Sequence, residues 1–213
     1  MKPTHDSILA AASYAQLGER LAAYPCRRCP LSKERTNLVV DRGVPGAPIL
    51  LIGEAPGAEE DRLGLAFVGR SGKLLDSLLE VAGIDPKKDI LIANIVKCRP
   101  PENRPPTALE AAACFPYLSR QIALSRPRVL GLLGATALEH VLPGRRPSAR
   151  GLQSRLLPLR PRRRLKDVVG SIFEDEAYPG MEIAALYHPA YVLRNPSAKG
   201  VMVEHLKVLA SRL

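Results

Sequence analysis

Four predominantly apolar runs divide this chain and predict its main strands. The runs hold four to seven residues each and do not alternate between apolar and polar positions. This pattern is typical of strands that are buried on both faces, as in a parallel sheet covered by helices. A weaker stretch at 37–40 predicts a further short strand. The four main strands are predicted at 49–52, 90–96, 129–133 and 183–186.

Helical patterns, with apolar residues spaced three and four apart, separate these strands. Ser71 is a candidate N-cap for the helix after the first strand, and Gly83 follows the last turn of that helix as a C-terminal signal. Thr107 and Glu110 have the spacing of a capping box and predict the start of the next helix. The predicted helices are 7–24, 73–82, 108–125, 134–142 and 201–213.

The alternation of strands and helices predicts an α/β fold: a three-layer sandwich with a central, mostly parallel four-stranded sheet flanked by helices. We expect a single domain over 1–213, because this length and a hydrophobic content of 46% suffice for one core. Right-handed crossovers place the loops after Ile52, Val96, Leu133 and Leu186 along one edge of the sheet. Ligands of open α/β sheets usually bind at such an edge.

Polar side chains from distant parts of the sequence lie on or beside this edge. Glu54 follows the first strand and Asn94 interrupts the second. Asn103 lies in the proline-rich loop that follows, and His188 comes after the fourth strand. Their convergence predicts a binding site there.

The loop after the first strand, 53–57, has free backbone N–H groups between two glycines and is followed by an aromatic ring at Phe67. It lacks the Lys-Ser/Thr pair of a phosphate-binding loop and the third glycine of a dinucleotide fingerprint. The loop is therefore interpreted as a cradle for a flat polar ring. The alternative is a structural turn with a solvated acidic tip at 59–61.

The chain carries a net charge of +10 and a pI near 9.8, which favours a polyanionic partner over a neutral one. Eight arginines and no acidic residue lie in 145–166, which predicts an Arg-rich surface excursion. A general need for solubility would give the same net charge. No stretch is apolar for long enough to span a membrane, and 8–17 is flanked by charges, so we expect a cytoplasmic protein without membrane contact.

The chain has four cysteines, and two of them form a Cys-x-x-Cys pair. In a reducing compartment two disulfides are not expected. Four thiolates suit either zinc or an iron–sulfur cluster, whereas two buried thiols plus an incidental pair would have no metal at all. The candidate metal ligands are Cys26, Cys29, Cys98 and Cys114.

Four motifs together resemble the family 4 uracil-DNA glycosylases, the iron–sulfur enzymes of bacteria and archaea. The resemblance covers roughly residues 20 to 210, in order, and includes all four cysteines. The motifs are Gly-Glu-Ala-Pro-Gly at 53–57, Phe-Val-Gly-Arg at 67–70, Asn-Ile-Val-Lys-Cys-Arg-Pro-Pro at 94–101 and His-Pro-Ala-Tyr-Val-Leu-Arg at 188–194.

The resemblance implies a uracil-DNA glycosylase-like fold and a monofunctional DNA repair glycosylase that hydrolyses the N-glycosidic bond of uracil and leaves an abasic site. It also implies a [4Fe-4S] cluster on the four cysteines and a monomer that acts on uracil-containing DNA. By position, Phe67 would stack on the uracil ring, Asn94 would read O4 and N3–H, and His188 would lie at O2. Uracil would also meet the backbone of Gly53, Glu54 and Ala55.

The resemblance further implies DNA contacts on the segment after His188. Val192 or Leu193 would enter the vacated base stack, and Arg194 would hold a phosphate. Glu54 is the predicted group that activates the attacking water, and Asn103 is predicted to help position that water.

The sequence departs from the family pattern at three places. The better-known branch of the superfamily has an Asp at position 55, where this chain has Ala. Val192 stands where Leu is common, and the Arg-rich segment is longer than usual.

Three other functions fit parts of the pattern. A related group traps DNA covalently through a His in an inserted loop, but 100–107 has neither His nor insertion. A non-enzymatic nucleic-acid-binding protein with structural zinc would account for the arginines and cysteines. A small electron carrier would explain the cysteines alone.

Overall fold

The computed structural model of the chain describes residues 2–142 and 163–213. Most of the predicted Arg-rich excursion at 145–166 lies outside the described residues. Within them, no helix is both long and apolar enough to cross a membrane.

The described residues form an α/β fold around one six-stranded sheet with the strand order β1-β3-β2-β4-β6-β5. The four inner strands pair in parallel and the two outer strands pair antiparallel. The predicted fold class and the four parallel strands are confirmed, but the predicted strand count is wrong. The strands are β1 Arg42–Gly43, β2 Ile49–Gly53, β3 Ile90–Asn94, β4 Val129–Leu133, β5 Ile172–Glu174 and β6 Glu182–Leu186.

The register of the parallel strands aligns their carboxyl ends. Gly53 pairs with Asn94 at the ends of β2 and β3, and Leu133 pairs with Leu186 at the ends of β4 and β6. Every residue of β2, β3 and β4 is buried, as the continuous apolar runs predicted. The loops that follow these strands therefore leave the sheet at one edge.

Helices cover both faces of the sheet. One apolar cluster joins β2 and β3 to α4, α8 and α9, and a second joins the opposite face to α5 and α6. A third cluster packs α1 and α2 on the outer side of α5. The helices are α1 His5–Leu9, α2 Tyr14–Ala23, α3 Ala58–Leu63, α4 Arg70–Val81, α5 Ala108–Ser125, α6 Gly134–Val141, α7 Leu165–Val168, α8 Pro189–Arg194 and α9 Ala198–Ala210.

Several predicted element ends differ from the structure. The helix predicted at 7–24 is two helices, because Ser13 caps a new start at Tyr14. Helix α4 begins at Arg70 after Gly69, so Ser71 is inside the helix and is not its cap. The capping box of Thr107 and Glu110 is confirmed. The strand predicted at 37–40 is not formed; the edge strand is β1.

Candidate active site

A cavity of about 640 Å³ opens at the carboxyl edge of the sheet. Its walls come from the loops after β2, β3 and β6 and from the first turns of α4 and α8. It gathers most of the side chains that the sequence placed at this edge, together with the rim residues Arg70 and Ser71. The predicted site residues that line it are Glu54, Ala55, Phe67, Asn94, Asn103, His188 and Arg194.

Asn94, the last residue of β3, presents an unpaired carboxamide in the wall of this cavity. The residue is 1% exposed. Neither its Oδ1 nor its Nδ2 has a hydrogen-bond partner among the described residues. A buried amide without partners costs about 1–3 kcal/mol per group, so native proteins rarely keep one without a reason. A ligand with one donor and one acceptor on the same edge would satisfy both atoms.

Gly53 allows Phe67 and Asn94 to approach each other. A Cβ at position 53 would lie 2.6 Å from both Oδ1 of Asn94 and Cε2 of Phe67. Phe67 itself has φ +53°, an unusual backbone for an aromatic residue, and is buried. Its ring centroid lies 5.9 Å from that of His188. The aromatic ring of Phe67 therefore lies near both the amide of Asn94 and the imidazole of His188.

His188 caps helix α8, and this fixes its tautomer. Its Nδ1 accepts the backbone N–H of Ala190 at 3.1 Å, so the proton of the neutral ring is on Nε2. Burial, and secondly the nearby charge of Arg194, lower the pKa of His188 to about 4. At neutral pH the ring is uncharged and offers Nε2–H as its donor.

Glu54 is held by a residue that the sequence did not single out. The hydroxyl of Thr136 donates to Oε2 of Glu54 from the first turn of α6. Gly134, in the same turn, has φ +90°, and a Cβ there would lie 3.0 Å from Cβ of His188. One signal in the sequence pointed to this turn: it follows β4 and therefore lies at the same sheet edge.

The acidic stretch at 59–61 is not the solvated tip of the alternative interpretation. Glu60 accepts the backbone N–H groups of Gly57 at 3.1 Å, Val68 at 2.9 Å and Gly69 at 2.8 Å. It thereby joins the loop after β2 to the loop before α4. Asp61 is buried and accepts backbone N–H groups from residues 36 and 37. Only the first acidic residue of the three, Glu59, is exposed.

Asn103 lies on the rim of the cavity. It has φ +56° and its side chain is exposed. Its Oδ1 accepts Nε–H of Arg99 at 2.8 Å, so this oxygen is already engaged.

The DNA-contacting residues predicted on α8 separate into buried and accessible ones. Val192 is 0% exposed and packs into the core beneath α4 and α9. This burial removes Val192 as an intercalating side chain, because it has no surface to offer. Leu193 is half-buried and Arg194 is exposed beside the cavity. The sequence could not predict which side of α8 faces the sheet, because a helix of six residues is too short to show a clear apolar face.

The four cysteines line one narrow cavity near the end of β3. Nη1 of Arg35 lies 3.3 Å from Sγ of Cys98. Lys97 also lines this cavity; it is fully buried, and its Nζ donates to the backbone oxygen of Asn94 at 3.0 Å. Among the described residues, no group of three or more His, Cys, Asp or Glu side chains is arranged to hold a metal ion.

Comparison with known proteins gives the family. Residues 40–209 match the model of the Uracil DNA glycosylase superfamily. This chain belongs to that superfamily. It is 40% identical over 179 residues to the type-4 uracil-DNA glycosylase of Pyrobaculum aerophilum, covering 82% of this chain and 83% of that one.

Two further relatives carry the same name. The type-4 uracil-DNA glycosylase of Thermotoga maritima is 41% identical over 172 residues, covering 81% of this chain and 80% of its own. The type-4 uracil-DNA glycosylase of Archaeoglobus fulgidus is 38% identical over 175 residues, covering 82% of this chain and 81% of its own. The resemblance to family 4 that the motifs indicated is thereby confirmed.

The charges around the cysteine cavity of this superfamily member suit a group with thiolate ligands. Burial raises the pKa of Cys98 to about 11 and of Cys114 to about 12, while Arg35 and Lys97 act in the opposite direction. Burial lowers the pKa of Lys97 to about 8. The buried Lys97 and the half-buried Arg35 beside the four thiols would compensate the negative charge of a cluster bound by four thiolates.

Proposed function

We propose that this chain is a DNA repair glycosylase that extrudes uracil from DNA, hydrolyses its N-glycosidic bond, and leaves free uracil and an abasic site. The observation that carries the proposal is the buried, unpartnered carboxamide of Asn94 in the main cavity of a chain whose relatives are type-4 uracil-DNA glycosylases. A base must leave the helical stack before its glycosidic bond can be reached, and this cavity is large enough to receive it.

Base recognition rests on Asn94 and Phe67. Uracil offers an acceptor at O4 and a donor at N3, which complement Nδ2–H and Oδ1 of Asn94. Cytosine offers an amino donor and a bare nitrogen at these positions, so pairing would fail at two desolvated atoms. Phe67 supplies a stacking surface, and the backbone of Gly53, Glu54 and Ala55 borders the ring on the remaining side.

His188 stabilises the leaving group. Departure of uracil places negative charge on N1 and O2. A neutral imidazole that donates Nε2–H to O2 lowers the energy of this anion without transferring a proton. The low pKa of His188 keeps the ring neutral for this task.

Glu54 and Asn103 act on the water. The Glu54 carboxylate can accept a proton from a water directed at the sugar carbon, and its hydrogen bond from Thr136 restricts its rotation. Since Oδ1 of Asn103 is engaged by Arg99, Nδ2 is the group of that residue that can orient the water.

DNA contacts come from α8 and from its surroundings. Leu193 enters the space that the extruded base leaves, and Arg194 binds a backbone phosphate. Val192 packs in the core and anchors the helix that carries Leu193 and Arg194. The net charge of +10 provides a general attraction to the duplex.

A [4Fe-4S] cluster bound by Cys26, Cys29, Cys98 and Cys114 completes the proposal. The fit rests on the shared cavity of the four thiols and on the two cations beside them. When bound, the cluster supplies a cross-link between the N-terminal segment, the loop after β3 and helix α5. Lys97 connects this region to the strand end that carries Asn94.

The proposal is tested with a labelled oligonucleotide that carries one uracil. The wild type is expected to create an alkali-labile site at the uracil, and Asn94→Ala and His188→Ala to lose at least about 100-fold in rate, since each removes a group that contacts the departing base. His5→Ala is the matched control, because His5 contacts Tyr117 away from the cavity. Full activity in both cavity variants would refute the site.

A further inference from the structure

The first turn of helix α6 lies between two groups that come from distant parts of the chain. Glu54 follows β2 and His188 follows β6. In the sheet, β4 lies between these two strands, and α6 begins directly after β4. The turn is therefore placed where it can contact both side chains.

Thr136 makes the contact to Glu54. Its hydroxyl, in the third position of α6, donates to the carboxylate. The carboxylate consequently lies beside the amino end of an eight-residue helix, which has no side-chain cap of its own. The positive end of the helix dipole favours a carboxylate at this position. Thr136 does not line the main cavity, but Glu54, whose carboxylate it contacts, does.

Gly134 makes the contact to His188. Its φ of +90° and its missing side chain let the backbone of α6 approach the imidazole. An added Cβ would lie 3.0 Å from Cβ and 3.7 Å from both Cγ and Cδ2 of His188. The distance of the imidazole from α6 is thus set by the absence of a side chain at this position.

We propose that the first turn of α6 sets the positions of Glu54 and His188 relative to each other, with Thr136 as the positioning residue for the Glu54 carboxylate. This inference rests on the roles proposed above for Glu54 and His188. A misplacement of about 1 Å in a reacting group costs on the order of 100-fold in rate. A free glutamate side chain has ample rotational freedom to be displaced by that much.

Thr136→Val removes the hydroxyl and keeps the shape of the side chain. We expect its single-turnover rate of uracil release to fall about 10- to 100-fold, with unchanged affinity for uracil-containing DNA. Thr136→Ser restores the donor and is expected to recover most of the rate. Thr4→Val is the matched control, since Thr4 caps α1 far from the cavity. A wild-type rate for Thr136→Val would overturn the proposal.

A double-mutant cycle separates positioning from general stability. In a Glu54→Ala background, Thr136→Val is expected to cause no further loss, because the group that it positions is gone. An equal loss in both backgrounds would overturn the proposal. Full activity of Glu54→Ala alone would overturn the role of Glu54 and this proposal together, whereas an impaired Glu54→Ala with an active Thr136→Val would overturn this proposal alone.

The contact to His188 is tested with two glycine variants at positions of similar positive φ. Gly134→Ala is expected to reduce the rate about 10-fold more than Gly83→Ala. Gly83 has φ +84°, close to that of Gly134, but has no atom within 4 Å of its added Cβ. Equal rates for the two variants, after correction for the folded fraction, would contradict the contact.

Discussion

At the scale of single residues, the amide of Asn94 and the imidazole of His188 are placed by opposite means. Asn94 gains its position from the strict register of β3 and lacks partners, whereas His188 is fixed by its own bond to the backbone of α8. Both positions could be predicted from the sequence, because strand ends in a parallel sheet share an edge. The contact of Thr136 with Glu54 and the burial of Val192 could not be predicted, because both depend on how the helices pack.

The lowered pKa of His188 predicts how the free energy of unfolding depends on pH. Its pKa is about 4 in the folded chain and about 6.5 when unfolded, so the unfolded state binds the proton more readily between these values. The free energy of unfolding should therefore fall as the pH decreases from 6.5 towards 4. Between pH 7 and 4.5 we expect the wild type to lose on the order of 2 kcal/mol more than His188→Ala in urea denaturation. Equal losses would contradict a buried neutral imidazole.

At the scale of elements, the apolar runs identified the four inner strands because each is covered on both faces. The outer strands β1 and β5 have two and three residues, too few for any periodic pattern to be visible. The break between α1 and α2 depends on the cap at Ser13, which sequence reasoning did not notice. The loops of the site were placed correctly, but the bonds that hold them were not foreseen.

Glu60 provides the test at this scale, since one carboxylate joins two loops. Glu60→Gln replaces an oxygen by an amide donor and so leaves at least one backbone N–H unpaired. We expect a loss of about 1–3 kcal/mol in the free energy of unfolding and about a 10-fold lower rate of uracil release. Glu59→Gln is the matched control on the same helix; it is exposed, and its change should stay within about 0.5 kcal/mol. Similar losses of stability in both variants would exclude the role of Glu60 in joining the two loops.

At the scale of the whole molecule, the chain carries a net charge of +10, and Arg194 is one of the arginines that line the main cavity. The charge was readable from composition, and so was the class of partner that it favours. Composition does not indicate which arginines contact DNA, because that depends on which helix faces carry them; the expectation for Arg194 came from the family resemblance alone. Arg194 is exposed at the cavity, whereas Arg62 is exposed but paired with Glu59 on α3.

This difference predicts a change in salt dependence. The affinity for uracil-containing DNA should fall linearly with the logarithm of salt concentration, and Arg194→Ala should reduce this slope by about 1, because one phosphate contact is lost. Arg62→Ala should leave the slope unchanged. The slopes are measured by fluorescence anisotropy over a series of salt concentrations. An unchanged slope for Arg194→Ala would exclude a phosphate contact at that residue.

The central claim is that the carboxamide of Asn94 pairs with an extruded uracil beside His188. A crystal structure of the protein with abasic DNA and free uracil tests it most directly. We expect Nδ2 and Oδ1 of Asn94 within hydrogen-bond distance of O4 and N3 of the base, with Nε2 of His188 at O2. Uracil bound elsewhere, with the Asn94 amide still unpaired, would contradict the account.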